Sequence, residues 1–162
     1  MEKERLLFSI GRFDHYYDTI NNKSSVFLGL STFIVGGLIA AYPSLIDLIN
    51  CNLLIHSLMI VLLVIGIAIM IIVILASTPF QGKDSNSLYY FGSISKMSKD
   101  QFWNVSHHCS EEDELIDLRS QVQHLSYGLT SKFTKLKWAG RLFTIQFVLF
   151  IPLIMIIIFN LK

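Results

Sequence analysis

Residues 53–75 read LLIHSLMIVLLVIGIAIMIIVIL, 23 consecutive positions without an Asp, Glu, Lys or Arg. A helix of roughly 20 such residues crosses the ~30 Å of hydrocarbon in a bilayer. Upstream, residues 26–42 form an uncharged run of 17, short enough that Ser25 or Pro43 and Ser44 are expected to extend it. Downstream, residues 142–161 form a third run, of 20. A soluble domain in a chain of 162 residues cannot bury three helices that are apolar all round. The expected fold is an all-α membrane protein: three transmembrane helices with a helical cytoplasmic domain formed by the N-terminal helix and the insert between spans two and three.

These runs divide the chain into a cytoplasmic amphipathic helix at 1–24, transmembrane helix 1 at 25–43, an external link at 44–52, transmembrane helix 2 at 53–76, a cytoplasmic helical insert at 77–141 and transmembrane helix 3 at 142–161. Lys3, Arg5, Arg12 and Lys23 precede the first span, eight basic residues fall in 78–141, and none falls in 43–52. Basic residues gather on cytoplasmic segments, so the N-terminus and the insert are expected inside and the C-terminus outside. The first span does not read as a cleaved signal sequence, because mixed charge precedes it and Ala40-Ala41 runs on into Tyr42-Pro43.

Both polar segments carry a heptad. Leu6, Ile10, Phe13, Tyr17 and Ile20 alternate spacings of four and three, and Leu115, Leu118, Val122, Leu125 and Leu129 do the same before a four-residue step to Phe133 and then Leu136 breaks the period. Such helices want a helical partner. Each runs without a proline toward a span, so both are expected as extensions of spans one and three, and a helix over 110–161 is about 78 Å long at 1.5 Å per residue. Ser110 ahead of Glu111, Glu112 and Asp113 is a helix start, and Ser98 with Gln101 has capping-box spacing for a helix over roughly 98–108. Residues 78–97, rich in Gly, Ser, Asn and Asp, read as loop with a weak edge strand at 88–91.

In the first span Ser25, Gly29, Thr32, Gly36 and Ala40 form a stripe of small residues, with Gly37 and Ala41 beside it, where another helix can approach closely. His56, Ser57, Thr144 and Gln146 are polar groups expected to seek partners inside a bundle, and Pro152 is expected to bend the third span. Cys51 and Cys109 fall on opposite sides of the membrane, which leaves no intrachain disulfide. His107, His108 and Cys109 suit the polar end of a helix better than a zinc site, for which four ligands must converge. No phosphate-binding glycine loop, zincin motif or nucleophile elbow occurs. The chain is thus expected not to be an enzyme, to need no cofactor, and, at net charge +1, to bind no nucleic acid polymer.

Tyr90-Phe91-Gly92-Ser93-Ile94-Ser95-Lys96-Met97-Ser98, with Phe102 beyond, resembles the signature after the second span in the Pycsar effector transmembrane family of small bacterial antiphage membrane proteins. Asn21-Asn22-Lys23-Ser24 is similar to that family's Asp-x-Lys-Ala entry to the first span, with Asn21 in place of the Asp and Ser24 in place of the Ala. Asp117-Leu118-Arg119-Ser120-Gln121-Val122, with Ser126, Lys132, Leu136 and Ala139, is similar to the helix leading into the last span. The resemblance covers about residues 12–145.

It implies an effector of abortive infection in the bacterial inner membrane. A cyclase triggered by phage would make a cyclic pyrimidine mononucleotide, and the effector would then impair the membrane, with no direct contact to the cyclase required. A cyclic oligonucleotide is a related signal. Ligand binding would change how copies in a homo-oligomer pack. Expected ligand contacts are Tyr90 and Phe91 for base stacking, with Lys23, Arg119, Gln121 and Lys132 for phosphate or base edges; expected helix-packing residues are Gly29, Gly36, Gly37 and Ala40. The competing expectation is a constitutive membrane scaffold that binds a cytoplasmic partner through its heptad helices.

Overall fold

Nothing between Glu2 and Tyr42 interrupts a helical ladder, and the first helix outruns the expected end of the first span. The structure, a computed structural model, describes residues 1–48, 53–79 and 87–160. In chain order its helices are α1 (Glu2–Leu48), α2 (Leu53–Ser77), α3 (Phe91–Ile94), α4 (Lys99–His108) and α5 (Glu111–Asn160). α1, α2 and α5 are long and apolar enough to cross a membrane. The chain is an all-α membrane protein with three transmembrane helices.

Two local expectations change. α1 carries Pro43 inside it and continues to Leu48, so residues 44–48 are helix and not link. The remainder of the expected link, with Cys51, lies outside the described residues, as do 80–86 of the expected loop. No strand forms among the described residues: Phe91 opens α3 instead, with Tyr90 O accepting from Ser93 and Ile94 N–H at 3.0 and 3.1 Å. The expected helix starts form as read. Ser98 Oγ accepts from Gln101 N–H at 3.2 Å while Gln101 Oε1 accepts from Ser98 N–H at 3.0 Å, a closed capping box. Ser110 Oγ accepts from Asp113 N–H at 3.1 Å at the start of α5.

The chain forms two units, one from Met1–Thr19 with Pro79–Ser131, the other from Ile20–Thr78 with Lys132–Lys162. In the first, α1 pairs with α5 in parallel: Lys3 reaches Glu114, and Tyr17 Oη donates to Leu125 O at 3.0 Å. Leu6 and Leu118 are buried there. The heptads therefore find a partner within one chain.

In the second unit Phe27 of α1 packs on Phe143 of α5, ring centroids 5.1 Å apart. Two apolar clusters stack along the helices. Ile69, Val73, Ala139 and Phe143 form one with Phe27 against it; Leu38, Ile55, Met59, Leu62 and Leu153 form the other. α1 and α5 thus run parallel here as well, and α2 runs against both.

The seam on α5 is not broken at Phe133. That ring is exposed, and Lys132 is buried in the period's place, followed by Leu136, Ala139, Phe143, Gln146 and Leu153. A 4,3 alternation therefore continues from Leu118 to Leu153, hidden in the sequence because one core position holds a lysine. The seam on α1 continues likewise through Ser24, Phe27, Ser31, Ile34 and Leu38.

Lys132 can be buried because α2 ends beside it. Its Nζ donates to Ala76 O at 2.6 Å and Thr78 O at 2.7 Å, and Lys135 Nζ donates to Leu75 O at 3.2 Å. α2 has no basic residue in its own last turn. Two lysines of α5 thus satisfy carbonyls that a helix end leaves unpaired, and bring positive charge to the negative end of its dipole.

The small-residue stripe faces away from this packing except at Thr32, whose Oγ1 lies 3.7 Å from Met70 Sδ of α2. A Cβ at Gly29, Gly36 or Gly37 would meet nothing within 4 Å, and Ala40 is exposed. Of the four polar groups expected to seek partners, two reach across helices. Tyr42 Oη pairs with His56 Nδ1 at 3.2 Å, and Gln146 Nε2 donates to Leu62 O at 3.1 Å. Ser57 and Thr144 bond to carbonyls of their own helices, Leu54 O and Gly140 O.

Candidate functional site

The first unit holds a cleft of about 360 Å³ between the segment before α3, α4 and the start of α5. Leu88 and Tyr89 form one wall, Phe102, Ser106 and Cys109 another, and the carboxylates of Glu114 and Asp117 close it. Three residues apart on a helix, those two acids share a face. Asp117 Oδ2 accepts from Leu88 N–H at 2.8 Å, Ser87 Oγ accepts from Tyr89 N–H at 3.1 Å, and Tyr89 Oη donates to Glu114 Oε1 at 2.5 Å. The segment is thus tied to α5 at successive residues.

A second set of bonds ties down the start of α1. Lys3 Nζ donates to Glu114 Oε2 at 2.5 Å. Arg119 holds Glu2 in a two-pronged pair, Nε to Oε1 at 3.0 Å and Nη2 to Oε2 at 2.9 Å. All four side chains are at least partly exposed. Exposed pairs of this kind contribute little to stability and weaken with salt.

These bonds set the protonation states. The bond from Lys3, with that from Tyr89, lowers the Glu114 carboxyl, and the bond to Arg119 lowers Glu2 and raises Arg119. Burial, the hydrogen bond to Glu114 and the charges of Glu114 and Asp117 push the Tyr89 phenol up to about 12. The two carboxylates stabilise the folded unit above the ordinary carboxylate range, and that contribution is lost as pH falls through their lowered folded values. Amide hydrogen exchange in the first turns of α1 is expected to accelerate on acidification, and earlier at high salt. Tyr89 has the opposite sign: its contribution is fully present below pH ~10 and is lost as pH rises through ~12. An ultraviolet titration is expected to show Tyr89 ionising near 12, with Tyr17 also raised by its burial, and Tyr89→Phe is expected to remove the step near 12 alone.

None of the six expected ligand contacts lines the cleft. Tyr90 lies half-buried over Gly92, where a Cβ would stand 2.6 Å from its ring, and Phe91 is 73% exposed. Arg119 holds Glu2, and Gln121 is buried on α5. Lys23, exposed on α1, and Lys132, on the end of α2, belong to the other unit. Of the residues that do line the cleft, Phe102 stands just beyond the family signature, and Glu114 and Asp117 carry the i, i+3 spacing of acids that share a helix face.

The cleft offers two aromatic faces and acceptors for N–H or O–H groups, and no cation lines it among the described residues. The charges of Lys3 and Arg119 are held by Glu114 and Glu2. Among the described residues no three of His, Cys, Asp and Glu converge as a metal site. A family model described as the Pycsar effector protein domain matches residues 5–159. No curated protein and no solved structure gives a match.

Proposed function

The chain belongs to the Pycsar effector family, and on that premise we propose that it defends bacteria against phage by impairing the inner membrane when a cyclic nucleotide, a cyclic pyrimidine mononucleotide first, is made on infection. The family match, across nearly the whole chain, supports the defence role. The observation that carries the trigger is that α1 and α5 each belong to both units, so two of three spans are also the helices of the polar unit. A ligand that binds one packing of that pair better than another shifts the spans with it.

In this reading the N-terminus and the insert are cytoplasmic, the C-terminus is outside, and the cyclase supplies the signal without touching the effector. The base stacks on aromatic faces of the first unit, with Tyr89 and Phe102 in the cleft joining Tyr90 and Phe91 as candidates. The phosphate takes Arg119 from Glu2, one charge-assisted pair replacing another at small cost. Gln121 answers to base edges, and Lys23 and Lys132 act nearer the membrane. Copies of the chain meet along Gly29, Gly36, Gly37 and Ala40, which the single chain leaves uncovered.

Membrane potential in bacteria expressing this protein is expected to collapse with an active pyrimidine cyclase and to hold with a cyclase-dead control. Unchanged potential in both, with the protein present in the membrane, would sink the proposal. Arg119→Ala is expected to weaken the response, and retained affinity and toxicity in that variant would remove Arg119 from the site. The scaffold reading draws on α4, where Trp103 and Val105 are exposed and no residue is buried. It expects no depolarisation and a stable complex recovered in detergent.

A further inference from the structure

Within the second unit, Ser31 and Gln146 fall between the residues of the two apolar clusters, and Ser24 falls a heptad before Ser31, ahead of Phe27; all three are polar and incompletely paired. Ser31 and Gln146 are 0% exposed and Ser24 is 1% exposed. The Oγ atoms of both serines and Oε1 of Gln146 are buried with no hydrogen-bond partner. Gln146 spends only its Nε2, on Leu62 O. In hydrocarbon an unmet polar atom finds no water to compensate it.

The outward-facing hydroxyls behave differently. Ser25, Thr32 and Thr144 are exposed, and each donates to the carbonyl four residues back, Asn21 O, Leu28 O and Gly140 O. The inward-facing groups occupy core positions of the seams: Ser24 and Ser31 fall one heptad apart on α1, and Gln146 falls two heptads after Lys132 on α5. A polar residue at a core position can select a register when it pairs with another. Without a partner it only destabilises the packing that buries it.

From this we infer that the membrane unit has a second packing, in which Ser24, Ser31 and Gln146 face water and line an aqueous path between copies of this chain. The inference rests on the membrane-impairing reading above and supplies its open state. In the resting state Val35 against Gly66, one turn from Ser31 and beside Gln146, closes the level of those two groups, and Ser24 is buried a heptad away. In the open state all three provide hydrogen bonds to water that Leu or Val in their places would not.

Cysteine accessibility tests the open state. Cells carrying Ser31→Cys or Gln146→Cys are treated with a membrane-impermeant cationic methanethiosulfonate, with the wild-type chain setting the background and Thr144→Cys as the outward-facing control. Labelling at 31 and 146 is expected to rise several-fold with active cyclase and stay at background with dead cyclase, while position 144 stays at background throughout. Depolarised cells in which 31 and 146 remain unlabelled would overturn the inference and leave the defence reading standing. Cells that never depolarise count against the defence reading itself.

The resting state is tested without any messenger. Purified full-length Ser31→Val and Gln146→Met in detergent are expected to melt at or above the wild-type temperature. Melting several degrees lower would assign the polar groups to the resting packing and overturn the inference by a separate route.

Discussion

Gly66→Val is expected to disrupt the resting three-helix packing. A Cβ at position 66 would stand 2.5 Å from Val35 Cγ2 and 3.0 Å from Gln146 Nε2. Valine in a helix is held near one rotamer, so Val35 cannot simply swing away. The helices must part, and in lipid it is packing, not exclusion of water, that holds them together. Overpacking of this kind costs about 1–3 kcal/mol, with Gly66→Ala at the low end. The measurement is the melting temperature of the purified protein in detergent, where Val35→Ala added to Gly66→Val is expected to recover part of the loss. Gly29→Ala and Gly36→Ala are the controls, because nothing within 4 Å opposes a Cβ there. A Gly66→Val protein that melts with the wild type would refute the close approach of α1 and α2.

Lys132→Met is expected to destabilise the second unit even with no nucleotide present. The substitution leaves Ala76 O and Thr78 O without the ammonium that now bonds both. A hydrogen bond to a charged group contributes about 1.5–3 kcal/mol, and the loss of positive charge at a helix C-terminus adds about 0.3–1 kcal/mol. Lys132→Glu goes further, setting a buried carboxylate against carbonyl oxygens, and is expected to prevent accumulation in the membrane. Lys135→Ala, which loses one longer bond, is expected to have a small effect. Melting together with hydrogen exchange at the end of α2 reads this role. A Lys132→Met protein that melts normally and fails only to respond to cyclase would instead make Lys132 a ligand contact.

Lys132 also shows how far the sequence could be read. The heptads of α1 and α5 were legible where Leu and Ile fill them, and illegible where Ser24, Ser31 and Lys132 do, because polarity alone ranks those positions as surface. Gln146 was expected inside a bundle, but its partner, a backbone carbonyl, was not legible, nor was the helix end that accepts Lys132. Residue type also does not say which glycine packs within one chain: Gly66, a lone glycine in the most apolar run, makes the close approach, while Gly29 and Gly36 have nothing within 4 Å of a Cβ. The cleft was harder still, since Leu88 and Tyr89 lie more than twenty residues before Asp117 and Glu114 along the chain and meet them only through hydrogen bonds.

Length and uninterrupted apolarity determined three membrane helices, and capping chemistry determined where α4 and α5 begin, because both depend on neighbours along the chain. Which face of each helix turns inward, and which polar groups are sealed there, was decided only by the tertiary structure. A helix has one periodicity but several possible partners, and the choice among them is made by packing at contacts far apart in sequence.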